Sequence, residues 1–115
     1  MPLTTRIETH DLTLSPTDER RIEHRLEVLA RRLAKRPAPT AVLTLTYLED
    51  RRVVEADLRV QLGPLGAHLV AHDAAATPDH AARLAVEQVE RQLERQVAAQ
   101  RGEPSYGVPS RRRLT

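Results

Sequence analysis

Arginine is the residue type with the most chemistry to offer in this chain. Of 18 basic residues, 17 are arginines. A guanidinium makes bidentate contacts to phosphate and stacks on bases, where an ammonium is only a point charge. Biased genome base composition gives the same excess, so position matters more than number. The telling stretch is Ser15 to Arg36. At about 100° per residue along a helix, Arg21, Arg25, Arg32 and Arg36 fall on one flank, while Glu19, Glu23 and Glu27 fall on the other. A helix shaped only for solubility tends to interleave its charges, because Glu before Arg at i, i+4 is mildly stabilising. Here like charges are stacked. Two readings stand open. One is a solvated face that happens to sort this way. The other is a basic ridge that meets an anion, with Arg21, Arg25, Arg32, Lys35 and Arg36 as phosphate contacts.

Further arginines fit either picture. Arg91 and Arg95 lie one turn apart on a later helix. They extend the same surface or pair locally with Glu87 and Glu94. Arg111, Arg112 and Arg113 thread along RNA or are a charged, unstructured terminus. Histidine offers less. His68 and His72 share a strand face, but four strand residues span about 13 Å, too far for one metal ion. His10 and His24 have no partner at ligand spacing. The chain has no phosphate-cradling glycine loop, nucleophile elbow or zinc motif. No pair of carboxylates sits in the apolar setting that would raise a pKa for acid–base work. Catalysis is therefore a poor reading, and no cofactor is implied.

Composition narrows the classes. At 115 residues the chain forms one domain with a modest core. There is no Phe, Trp or Cys. The core must come from Leu, Val, Ile and Ala, and disulfides, thiolate metal sites and cysteine nucleophiles are excluded. No apolar run approaches the roughly 18 residues of a membrane span, and Met1-Pro2-Leu3 opens nothing like a signal peptide. A soluble cytoplasmic protein is expected. The net charge of +2 resides in residues 102–115, which hold three arginines and one glutamate; residues 1–101 hold 15 basic and 15 acidic groups. Attraction to nucleic acid must therefore come from local charge segregation and from that tail.

The elements that position these residues follow from periodicity. Leu3 to His10 alternates as a strand, with Leu3, Thr5, Ile7 and Thr9 on the less polar face. Ser15 is an N-cap, Pro16 takes the first helical position, and Asp18 completes a capping box. Ile22, Leu26, Leu29 and Leu33 form the buried stripe of that helix. Pro37 is expected to end it at Arg36. Thr40 to Leu48 reads as a strand, Glu49 to Arg52 as a hairpin turn, and Arg52 to Leu62 as a second strand with Val54, Ala56, Leu58, Val60 and Leu62 inward. Gly63-Pro64-Leu65-Gly66 reads as a type I turn. Ala67 to Asp73 returns as a strand, and Ala74 to Ala76 is a short loop. Thr77 caps a final helix, with Pro78 at its first position and Ala82, Val86, Val89, Leu93 and Val97 as its stripe. Glu87 and Arg91 are placed to pair on that helix, and Gln88, Gln92 and Gln96 line one flank. Residues 102–115 read as a disordered, arginine-containing tail. The fold class is α+β: β-α-β-β-β-α, a four-stranded sheet with both helices packed on one face.

On these elements the chain resembles the ribosome hibernation-promoting factor and ribosome-associated inhibitor family, also called sigma-54 modulation or S30EA-like proteins. The resemblance spans about residues 3 to 101. It rests on Arg25-Leu26-Glu27-Val28-Leu29, on Val42-Leu43-Thr44-Leu45 and Val54-Glu55-Ala56, and on Val89-Glu90-Arg91-Gln92-Leu93-Glu94-Arg95. It implies a fold similar to double-stranded-RNA-binding domains. It also implies binding to the small ribosomal subunit at the decoding centre, through 16S rRNA, with translation silenced in stationary-phase bacteria and no reaction catalysed. Family basic positions carry over to Arg25, Arg91 and Arg95. Longer relatives have a second domain, so this chain resembles the short form. Val28 and Gln88 stand where the family usually has lysine, and Thr77-Pro78-Asp79 replaces an acidic-x-aromatic motif. Fewer cations on a phosphate-binding face predict weaker binding. The alternative is a degenerate relative that acts as a protein-interaction module away from the ribosome.

Overall fold

The computed structural model describes residues 4–34, 38–63 and 66–100. The elements are β1 (Thr4–His10), α1 (Pro16–Arg32), β2 (Thr40–Leu48), β3 (Val53–Gln61), β4 (His68–Ala75) and α2 (Pro78–Gln100). The strands form one sheet in the order β1-β2-β3-β4, with β1 parallel to β2 and the other pairs antiparallel. This is the expected β-α-β-β-β-α arrangement.

Both helices cover one face because only that face is apolar. Ala41, Leu43 and Leu45 of β2, Val54 to Val60 at alternate positions of β3, and Leu69 and Ala71 of β4 all point to it and are buried. Ile22, Leu26, Leu29 and Leu33 come down from α1 to meet them, and Ala81, Ala82, Ala85, Val86, Val89 and Leu93 come from α2. The α2 stripe is thus wider than the sequence suggests: alanines at positions 81 and 85 let the helix sit close to its neighbours. The other sheet face is open. It carries Arg6 and Glu8 on β1, Val42 to Thr46 at alternate positions on β2, Glu55, Asp57 and Arg59 on β3, and His68, Val70 and His72 on β4. Among the described residues, no helix is long and apolar enough to cross a membrane.

Local signals explain most boundaries. Ser15 Oγ accepts a hydrogen bond from the Asp18 backbone N–H at 3.1 Å, and Thr77 Oγ1 accepts one from that of His80 at 3.2 Å. Each satisfies an orphan donor of a first helical turn. Gly66 passes so close to the Leu62 carbonyl that a Cβ would lie 1.5 Å from its oxygen, so only glycine fits there. The Gly66 N–H bonds back to the Gly63 carbonyl at 3.2 Å, closing the expected turn; Pro64 and Leu65, on which its type depends, lie outside the described residues.

Two boundaries differ from expectation. The first helix ends at Arg32, not Arg36. Leu33 caps it, its N–H shared between the Leu29 and Ala30 carbonyls, while its side chain stays fully buried. The helix thus ends four residues before the expected Arg36; Pro37 lies outside the described residues. The Ala74–Ala76 loop is shorter than read, because Ala74 and Ala75 pair with Glu55 and Val54 and extend β4. Alanine is a weak strand former, and the partner strand overrides that preference.

The Gln flank of α2 has a definite use. Gln92 Nε2 donates to the Val70 carbonyl at 2.8 Å, and Gln88 Nε2 donates to the His72 carbonyl at 3.2 Å and to Asp73 Oδ2 at 2.9 Å. These side chains tie the helix to the outer edge of β4. Leu29→Ala should lower the unfolding free energy by about 3 kcal/mol in urea melts. Val28→Ala, one residue away on the solvent side, should change it by less than about 0.5 kcal/mol.

Candidate nucleic-acid interface

The basic flank of α1 faces α2. The two helices run in the same direction, so successive turns of one meet successive turns of the other. Near the start of the seam, Arg25 Nε donates to Asp79 Oδ1 at 2.9 Å and Arg25 Nη2 donates to Oδ2 at 3.2 Å. This is a bidentate, charge-assisted pair, with the two side chains only 30% and 19% exposed. Asp79 lies in the first turn of α2, where the helix dipole also favours a negative charge. The hydrogen bond from Arg25 holds the Asp79 carboxyl below its ordinary range. Burial opposes this, while the charges of Arg25, Arg21 and Arg83 add to it. Further along, Arg32 reaches Glu90 at 3.3 Å and Glu94 at 3.5 Å.

These contacts account for the stacked charges of α1. Arg25 and Arg32 face the carboxylates of α2, while Glu19, Glu23 and Glu27 lie toward β1, with Glu23 and Glu27 also lining the depression that holds Arg20, Arg21, Arg25 and Asp79. Glu19, Glu23 and Glu27 line a groove with Thr5 and Ile7 of that strand. The contacts also correct the local pairing expected on α2. Glu94 turns to Arg32 rather than to Arg91 or Arg95, and among the described residues Arg91 and Arg95 have no ion pair. An exposed i, i+4 pair contributes only about 0.3–0.5 kcal/mol, so one guanidinium held between two carboxylates across the seam competes well.

The structure therefore sorts the predicted residues into two groups. Arg25 and Arg32 form the seam. Arg21, Arg91 and Arg95 remain exposed on the helix side of the molecule. Lys35, Arg36 and the Arg111-Arg112-Arg113 tail lie outside the described residues. Arg83 was missed by the sequence reading. It lines the groove between the helices with Arg25, Val28 and Glu90, and its charge is felt at Asp79. Its signal was its place one turn after Asp79, on the side that meets α1. Arg21, Arg25 and Arg83 surround Asp79, with Glu23, Glu27 and Glu87 lining the same grooves, and Arg25 keeps N–H groups beyond those that bind Asp79.

The open sheet face is mixed in charge. Arg59 Nε bonds Asp57 at 3.1 Å, and His72 Nε2 lies 3.3 Å from Glu55. Among the described residues, no group of three or more His, Asp or Glu side chains is placed to hold a metal ion.

The Arg25–Asp79 pair predicts a pH dependence. The Asp79 pKa is lower folded than unfolded, so its contribution is complete above about pH 4 and is lost as pH falls through the depressed folded value. Asp79→Asn should cost about 1.5 kcal/mol at pH 7. In urea melts at a series of pH values, the gap between the two proteins should close as pH falls through the depressed folded value.

Solved structures share this fold. The N-terminal domain of Protein Y from Thermus thermophilus aligns with a TM-score of 0.61 at 20% identity, covering 84% of this chain and 99% of that one. A ribosomal subunit interface protein from Coxiella burnetii aligns with a TM-score of 0.57 at 16% identity, covering 81% and 98%. At these identities the likeness is one of fold. No curated protein matches the chain. The sequence of residues 5–101 matches the model of the sigma-54 modulation protein/S30EA ribosomal protein family, across every element described above, and the chain belongs to that family.

Proposed function

We propose that this protein is a cytoplasmic, ribosome-associated translation inhibitor of the hibernation type. It binds the small subunit near the decoding centre, contacts 16S rRNA phosphates with arginines and catalyses nothing. By occupying the path of messenger and transfer RNA it holds translation idle in stationary phase. The observation that carries this reading is the family match over residues 5–101, the span that contains both helices and their exposed arginines. The name of the Coxiella relative, a ribosomal subunit interface protein, points the same way.

The roles divide along the seam. Arg25 and Arg32 fix the spacing of the helices through Asp79, Glu90 and Glu94. Arg21, Arg91 and Arg95 then present guanidiniums to phosphates from a rigid surface, with Arg83 near Arg25 and Asp79 at the start of the seam. Lys35, Arg36 and Arg111 to Arg113 add charge at the margins. No step needs a proton or a bond to move. Affinity comes from releasing the counterions of each phosphate contacted.

A second reading is favoured by one observation: carboxylates of α2 pair with Arg25 and Arg32, two of the arginines that the sequence offers as phosphate contacts. On that reading the chain is a protein-interaction module that leaves the ribosome alone. Cosedimentation separates the two. The protein should run with 30S and 70S particles at low salt and leave them as salt rises. Arg91→Glu and Arg95→Glu should each weaken binding about tenfold, or about 1.4 kcal/mol, with unchanged melting temperature. Absence from both fractions at low salt would sink the ribosome reading. Salt-insensitive capture of a protein partner from extract depleted of rRNA would favour the second.

A further inference from the structure

We propose that the groove between β1 and α1 docks an extended, arginine- or lysine-rich polypeptide segment, which adds to the free edge of β1 as a fifth strand. The site lies on the far side of α1 from the seam, so it does not depend on the RNA reading.

The two edges of the sheet are treated differently. On β4, Val70 and His72 pair with Arg59 and Asp57. Their carbonyls accept from Gln92 and Gln88 of α2, which occupies the acceptors in the middle of that edge. On β1 the pairing is with β2 alone. The Thr4 N–H bonds the Pro39 carbonyl on the β2 side, and Arg6 bonds Glu8 across the open face. Among the described residues, nothing hydrogen-bonds the outer backbone of β1. A strand of seven residues with a free edge is a template for another chain. Thr5 and Thr9 share the inward face with Ile7 yet stay exposed, so α1 leaves room beside the strand.

Charge selects the occupant. The groove has a floor of Ile7, Leu26 and Ala30 and one wall of Glu19, Glu23 and Glu27. Among the described residues, His24 is the one cationic group within 4.0 Å of these carboxylates, and it is charged only when protonated; Arg20 shares the neighbouring depression with Glu23 and Glu27 but pairs with neither. Four helical residues rise about 6 Å, and alternate side chains of a strand lie about 6.7 Å apart. Basic side chains at alternate positions of an added strand therefore keep step with all three glutamates. A second copy of this chain would bring two acidic walls together, and RNA would bring phosphates to them. A basic peptide satisfies both the edge and the wall.

The test uses the full-length, nitrogen-15-labelled protein and a synthetic heptapeptide of alternating arginine and threonine. A second peptide of equal charge is N-methylated on the residues that would face β1. Amide shifts should fall on β1 and on residues 19–30. The methylated peptide should bind at least about tenfold more weakly, as should the native peptide to the Glu19→Gln/Glu23→Gln/Glu27→Gln protein. Single Glu23→Gln gives a smaller loss and serves if the triple variant misfolds. Arg91→Glu should leave peptide binding intact, which keeps this result separate from the ribosome assay. Equal binding of both peptides, or shifts centred on Glu55 and Asp57, would show charge attraction without strand addition and overturn the proposal. So would a concentration-dependent dimer strengthened by the glutamine substitutions, which would place a second copy at this edge.

Discussion

Two parallel helices share one face of the sheet, and the seam between them governs what the molecule presents to a partner. The seam is apolar below and ionic above. Leu26, Leu29, Val86 and Val89 belong to the core cluster beneath it; Arg25 with Asp79, and Arg32 with Glu90 and Glu94, close it at the surface. The core is built from Leu, Val, Ile and Ala, with Tyr47 packed against its margin. The alanines of α2 permit a close approach. Partly buried ion pairs contribute little net stability against an apolar alternative, but losing one partner leaves a stranded charge. The pairs therefore act to fix register along the helices.

This geometry changes the meaning of the arginine ridge. Along the seam each paired guanidinium faces carboxylates, while the guanidiniums of Arg21, Arg91 and Arg95 project from the framework that those pairs hold. Family membership and a neutral domain are compatible on this account: the acids of α2 neutralise the arginines of the seam and leave the outer ones. The glutamates of α1, which the family resemblance left without a role, form the wall of a separate groove beside β1.

Much of the fold was legible in the sequence because the signals were local and repeated. The β-branched run of residues 40–48, free of Gly and Pro, and the period-two alternation of residues 52–62 matched both long strands to within a residue at each end. Ser15-Pro16 and Thr77-Pro78 marked the helix starts through cap chemistry. The helix stop was less legible, since Pro37 is a conspicuous breaker while Leu33, which caps the helix, carries no breaker signal. The Gln88-Gln92-Gln96 flank was visible, but its purpose was not, because the carbonyls bound by Gln88 and Gln92 belong to another strand.

The sequence by itself determined which faces are apolar, where the caps fall, which catalytic chemistries lack their residues, and that α1 carries opposite charges on opposite flanks. These depend on neighbours within a few positions along the chain. Tertiary structure alone decided which charges meet. Arg25 and Asp79 are far apart in sequence, as are Arg32 and Glu94, and a pattern along one helix cannot reveal what stands opposite it. Coulombic and hydrogen-bonded contacts extend only a few ångströms at full strength. Which arginines are engaged in ion pairs and which stay exposed was therefore settled only when the two helices came to lie side by side.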